Sequence, residues 1–157
     1  MAYIYGVNGF TRLAAGYPVN INDCNIKPYT LAATSEEVAA GALLMYTDEP
    51  SVLSGVPVDA TAGNVRPAGV AFATNVKLDT VFPQSENDVT WKPGQAGGYV
   101  VTGEVAVRFT GAAPKPGQKV YYDIANQAFT AATGGLEIPA KFTGNTQGEL
   151  TVVDLRF

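Results

Sequence analysis

The 157-residue sequence predicts an all-β fold, a small antiparallel β-barrel or sandwich with an extended N-terminal arm. Three observations carry that expectation. Seventeen glycines and ten prolines are spread along a chain rich in Val, Thr, Tyr and Phe, which favours many short strands over long helices. Between Trp91 and Thr130 the apolar residues recur with the period of a half-buried strand: Val105, Val107 and Phe109 share one face, and Glu104, Ala106 and Arg108 the other. The tetrapeptide Lys-Pro-Gly-Gln occurs at 92–95 and again at 115–118, each time just before a strand-like run. Proline and glycine there suit the two central positions of a type II turn.

In chain order, residues 1–34 form the arm and 35–157 the β-domain. The first stretch holds only three charges, Arg12, Asp23 and Lys27, yet carries Tyr3, Tyr5, Phe10, Tyr17 and Tyr29. Gly6, Gly9, Gly16, Pro18 and Pro28 break any helical stripe. A disordered tail is expected to be polar and poor in aromatics, so this segment reads as an arm that lies against something. The alternative is that it supplies the first strands of the same domain.

Thr34-Ser35-Glu36-Glu37 has the spacing of a capping box, but Gly41 follows too soon for a long helix. Leu43 to Tyr46 reads as a buried strand ended by Asp48-Glu49-Pro50, and residues 51–66 as a loop of small residues. Pro67 to Thr74 is a compact apolar strand, and 83–88 an exposed connection. Gly98 to Val101 and Glu104 to Phe109 read as two strands joined by a hairpin at Thr102-Gly103. Lys119 to Ile124 is another strand, ending in the Asx-type turn of Asp123 to Asn126. Leu136 to Pro139 and Lys141-Phe142 flank a bend, 144–148 is a loop, and Leu150 to Phe157 is the last strand, with Val153, Leu155 and Phe157 facing one way.

Composition narrows the function classes. Charged residues make up 15% of the chain, below the usual share of about a quarter, as expected if part of the surface is covered by partners. A net charge of −4 with no basic block disfavours a nucleic-acid partner. The longest apolar run, 38–45, is too short to span a bilayer, and the start lacks the pattern of a signal peptide. The lone Cys24 cannot form an intrachain disulfide and reads as a small buried hydrophobe in a reducing compartment. The chain has no histidine and no phosphate-binding glycine loop. Asp48-Glu49 and Asp88 match no catalytic carboxylate template. No catalytic residue, metal site or cofactor is therefore expected.

The succession Gly69-Val70-Ala71, Trp91 to Gln95, Gly103-Glu104-Val105, Pro116 to Asp123, Phe129-Thr130, Gly135 to Phe142 and Gly148 to Val153 resembles the capsid cement, or decoration, proteins of tailed bacteriophages. The likeness covers about residues 38–157. It implies a β-rich virion protein, not an enzyme, on the outer surface of the head, assembled in the host cytoplasm and stabilising contacts between major capsid proteins. It also implies a homo-oligomer, with a homotrimer favoured over a dimer. On that reading the arm residues Tyr3, Tyr5, Phe10, Arg12, Tyr17, Ile21, Lys27 and Tyr29 are the expected capsid contacts. A carbohydrate- or receptor-binding β-barrel of a phage structural protein is the alternative, and it would need Trp91 and tyrosines in a concave exposed patch. An enzyme using carboxylates alone would need two of them converging in a pocket.

Overall fold

The computed structural model describes residues 3–5, 11–19, 23–73 and 90–157. Among them are thirteen strands and one short 3-10 turn at Ala62–Asn64. In chain order the strands are β1 (Tyr3–Tyr5), β2 (Thr11–Leu13), β3 (Asn25–Leu31), β4 (Val38–Ala39), β5 (Leu43–Tyr46), β6 (Val52–Gly55) and β7 (Pro67–Phe72). They continue with β8 (Thr90–Trp91), β9 (Ala96–Arg108), β10 (Lys119–Asp123), β11 (Ala128–Thr130), β12 (Leu136–Gln147) and β13 (Leu150–Arg156). Nine of them form one sheet in the order β11-β10-β12-β13-β9-β3-β6-β5-β7. A further pairing of β7 with β9 closes five of these, β9, β3, β6, β5 and β7, into a barrel. The all-β barrel expected from the sequence is present. Its one parallel pairing is β3 with β6.

Strand β9 organises both halves of the molecule. Its first half belongs to the barrel, where Tyr99 and Val101 pack with Tyr29, Leu31, Leu44, Leu53, Ala71 and Trp91. Its second half pairs with β13 from Thr102 to Arg108, and there Val105 and Val107 join Val120, Tyr122, Phe129, Ile138, Phe142, Val153 and Leu155. A register shift accounts for the change of side: Asn25 pairs with Thr102 but Ile26 with Val100, so β9 carries one extra residue, Val101. One inserted residue sends the following odd-numbered side chains to the opposite face of the sheet.

The hairpin expected at Thr102-Gly103 is therefore absent, because these residues lie inside one continuous strand. Gly103 has φ +112, and a Cβ there would stand 2.5 Å from Cys24 Sγ. The glycine serves the close approach of two backbones rather than a turn. The expected bend near residue 140 and residues 144–147 of the expected loop are likewise parts of one long strand, β12, interrupted by register shifts, and only Gly148 of that loop lies in the turn before β13.

Both Lys-Pro-Gly-Gln copies are the expected turns. The Gln95 and Gln118 amides donate to the Lys92 and Lys115 carbonyls at 3.1 and 3.2 Å, and Gly94 and Gly117 have φ +86 and +81. In each copy the glutamine side chain also accepts from the lysine amide, at 2.9 and 2.7 Å. The Asp123 turn holds as well, with Asp123 Oδ1 accepting from the Asn126 amide at 3.2 Å.

The face of β9 expected to meet solvent is partly covered. Ala106 is fully buried beneath Leu13, Ala15, Leu150 and Val152, Glu104 is exposed and Arg108 half-buried. The cover comes from residues 13–19, stitched to β9 by the Gly16 and Val19 amides, which donate to the Ala106 and Glu104 carbonyls at 2.8 and 2.9 Å. Phe109, expected inward, lies just past the strand and is half-buried. The expected exposed connection 83–88 lies outside the described residues.

Candidate functional site

The N-terminal segment does not behave as a single unit. Residues 25–31 are a barrel strand paired with β9 and β6, and 13–19 are packed onto the second half of β9. For these residues the alternative weighed in the sequence, that the segment supplies strands of the same domain, describes the structure. Outside these stretches lies the β1–β2 ladder, with Tyr3 opposite Leu13, Ile4 opposite Arg12 and Tyr5 opposite Thr11.

The eight residues expected as contacts accordingly scatter. Tyr3, Tyr5 and Arg12 sit on the β1–β2 ladder, while Phe10 and Ile21 lie outside the described residues. Tyr17 is half-buried against the barrel core, and burial raises its hydroxyl pKa. Lys27 is exposed on β3. Tyr29 is a core residue: it is 3% exposed, meets Tyr99 edge-on at 5.9 Å and 82°, and burial raises its pKa. Its position in the strand explains this, because Tyr29 and Leu31 take the inward places of β3 while Thr30 between them is exposed.

Trp91, on which a sugar-binding reading would lean, is fully buried. Asp48 forms a surface ion pair with Arg66 at 3.1 Å, and Asp88 lies outside the described residues. No group of three or more His, Cys, Asp or Glu side chains is placed to hold a metal among the described residues. Cys24 donates to the Glu104 carbonyl at 3.8 Å, and its thiol pKa is raised by burial first and then by Asp23, Glu104 and Asp154. A thiol so placed is a poor nucleophile at neutral pH.

A cleft of roughly 530 Å³ lies at the seam between the two halves. One wall comes from residues 34–43 and the end of β6, the other from Tyr122 and the β10–β11 turn, with Arg108 at the end of the shared strand. Val38, Leu43, Val56 and Phe129 line it with buried apolar surface, and the exposed Glu36 and Glu37 edge it. Tyr122 donates to Gln127 Oε1 at 3.3 Å on the second wall. Nothing in the spacing of the sequence brings residues 34–43 to residues 126–129, so this feature was not legible in it. Elsewhere the described body has few exposed large apolar side chains, Tyr46 and Val58, and no broad apolar patch of the kind that marks a partner surface by itself.

A family model described as structural cement protein (E217 gp24/Pam3 gp6) matches residues 3–156. Among solved structures, the chain is similar to one in the capsid of Myoviridae phage XM1, at TM-score 0.67 and 17% identity, covering 99% of this chain and 98% of that one. A second similarity, to the head fiber gp8.5 N base of bacteriophage phi29, has TM-score 0.43 and 10% identity over 85% of this chain and 94% of that one. No curated protein matches in sequence.

Proposed function

The chain belongs to the family of phage structural cement proteins, and from that membership we propose that it binds the outer surface of a phage head and stabilises contacts between major capsid proteins. The observation that carries this reading is the extent of the family match, which takes in both halves of the body and the β1–β2 ladder. The body suits the task. A barrel whose strands pair in a closed ring is rigid, and the β1–β2 ladder, which is not part of its sheet, offers a tether to a neighbour.

The arm proposed here is shorter than the one drawn from the sequence. Residues 1–12, with Tyr3, Tyr5, Phe10 and Arg12, reach at most roughly 40 Å when extended, enough to touch an adjoining subunit. Tyrosines suit such contacts because each covers a large apolar area at a small rotamer cost and keeps a hydroxyl for a partner at the rim. Tyr17, Ile21 and Lys27 remain secondary candidates, whereas the buried Tyr29 is not one. Several arms from one homotrimer would engage the shell together, so weak individual contacts multiply.

The test is co-sedimentation with undecorated heads. The full chain is expected to bind in a fixed ratio to the major capsid protein and to raise the temperature at which the heads rupture. A chain lacking residues 2–12 should keep its own melting temperature and lose most binding. Absence of binding by the full chain would remove the reading, and unchanged binding by the shortened chain would move the contacts to the body.

A further inference from the structure

We propose that the outer face of the sheet formed by β10, β12, β13 and β9 is a contact between two copies of this chain, held by a row of charges that is its own complement.

The row follows from the strand register. Lys119 on β10 stands opposite Lys141 on β12, Lys141 opposite Asp154 on β13, and Asp154 opposite Glu104 on β9. Residues directly opposite in antiparallel strands share a face, so one line across four strands reads plus, plus, minus, minus. Lys119, Lys141 and Glu104 are exposed, and Asp154 is half-buried. Further along the same face, Leu13 and Ala15 cover Ala106, Leu150 and Val152 from within the chain.

Two features set this line apart from an ordinary solvated surface. It puts like charges directly opposite each other twice, Lys119 with Lys141 and Asp154 with Glu104, an arrangement that weakens a sheet. Pairing within the chain relieves only part of this. Lys119 Nζ lies 3.5 Å from Glu137 Oε1, and Arg156 Nη2 donates to Asp154 Oδ2 at 2.8 Å, whereas Lys141 and Glu104 form no ion pair among the described residues. With strands about 4.8 Å apart, the positive and negative pairs are centred about 10 Å from each other. That exceeds the Debye length of roughly 8 Å at physiological salt, so the two ends act as separate poles.

The polarity selects the partner. A half-turn about an axis that runs along the strands, midway between β12 and β13 and between the two faces, brings Lys119 to the partner's Glu104 and Lys141 to the partner's Asp154. The same operation supplies the reciprocal pairs, and none of them sets like against like. An isologous contact joins copies two at a time. The unit that carries the arms is then a dimer, which the family resemblance ranked below the trimer, and two linked arms reinforce each other as three do. Exposed ion pairs are individually weak and screened by salt, so the dimer is salt-sensitive in solution and favoured where a shell holds copies close together.

Charge reversal tests this without heads, so the outcome is independent of capsid binding. In sedimentation equilibrium the wild type should dimerise at low salt and dissociate as salt is raised. Lys119→Glu with Lys141→Glu makes the line wholly negative, and Glu104→Lys with Asp154→Lys makes it wholly positive. Each double variant alone should associate about tenfold more weakly than the wild type or worse, and an equimolar mixture of the two should recover the dimer. If the positive variant does not fold, because Asp154 holds Arg156, Glu104→Lys alone replaces it and should recover part of the association on mixing. Arg66→Met, an exposed cation outside this face, should change nothing. A wild type that stays monomeric at millimolar concentration in low salt overturns the proposal. So does a trimer indifferent to both double variants, or a pair of variants that fails to associate when mixed.

Discussion

The two halves of this molecule share one strand and close in different ways. In the barrel every strand pairs with its neighbour until β7 returns to β9 through Val70, Ala71 and Phe72. In the other half the sheet curls through β13, β12, β10 and β11 and returns to the end of β9 by a single bridge. There Phe109 sits beside Phe129, and the Thr110 amide donates to the Phe129 carbonyl at 2.9 Å. The first half is closed by a strand ladder, the second by that one bridge, while Tyr122 meets Phe129 edge-on at 5.0 Å across the β10–β11 pair. The nine-stranded sheet consequently offers no long open edge to a partner strand, which leaves side chains, the seam and the N-terminal ladder to make contacts.

The largest test of this contrast is truncation. Deleting residues 2–33 removes β3, opens the ring between β9 and β6, and should abolish cooperative thermal unfolding. Deleting 2–12 spares β3 and the stitched residues 13–19, and should leave the melting temperature within a few degrees. A folded product from the longer deletion would mean that the ring is dispensable.

That difference also marks how far the sequence could be read. Turns were legible because their chemistry is local: both Lys-Pro-Gly-Gln copies and the Asp123–Asn126 turn are complete within four residues. The alternation in 105–107 and 153–155 was legible because one face of each strand meets a core. What failed was non-local. Gly103 has a hairpin-like context, yet its φ serves a meeting with Cys24 from far along the chain. Residues 25–31 look arm-like because Lys27-Pro28 interrupts their apolar pattern, although Tyr29 and Leu31 still alternate inward. The seam cleft joins segments with no sequence relation, and no periodicity signals it.

Single core substitutions come next in size. Phe129→Ala removes a fully buried core ring and its edge-on contact with Tyr122, and should cost about 3–5 kcal/mol. Trp91→Ala in the barrel should cost a similar amount, about 3–5 kcal/mol. Because β9 runs through both cores, chemical denaturation should show one transition for each variant, monitored by fluorescence or by backbone signal. Two separated transitions would show that the halves are independent domains. That outcome would break the comparison rather than sharpen it.

A smaller effect tests the shared strand itself. Gly103→Val places a Cβ 2.5 Å from Cys24 Sγ at φ +112, and should cost about 1–3 kcal/mol through overpacking and backbone strain. Adding Cys24→Gly should return the packing part and leave the backbone part. A double-mutant cycle without coupling would place Gly103 in a local turn after all.

The smallest effect separates the two halves by a single oxygen in each. Tyr29 in the barrel has a buried hydroxyl without a hydrogen-bond partner, whereas Tyr122 in the second half donates to Gln127 Oε1 at 3.3 Å. Removing an unpaired buried hydroxyl relieves a desolvation cost, so Tyr29→Phe should be neutral or stabilising, while Tyr122→Phe should lose about 0.5–1.5 kcal/mol. Alkaline titration adds a second reading. Burial raises both tyrosine pKa values, with Asp123 adding to the effect at Tyr122. The unfolded chain therefore releases these protons at lower pH than the folded one, and the folded state binds more protons above the unfolded value. Stability from this source is complete below about pH 10, the ordinary tyrosine pKa, and falls as pH rises beyond it. Each Tyr→Phe change should make that fall shallower, and the double variant shallowest, in urea denaturation between neutral pH and the alkaline limit of the assay. An unchanged slope in Tyr29→Phe would mean that its hydroxyl reaches water, and that the barrel interior is less tightly closed than the second half.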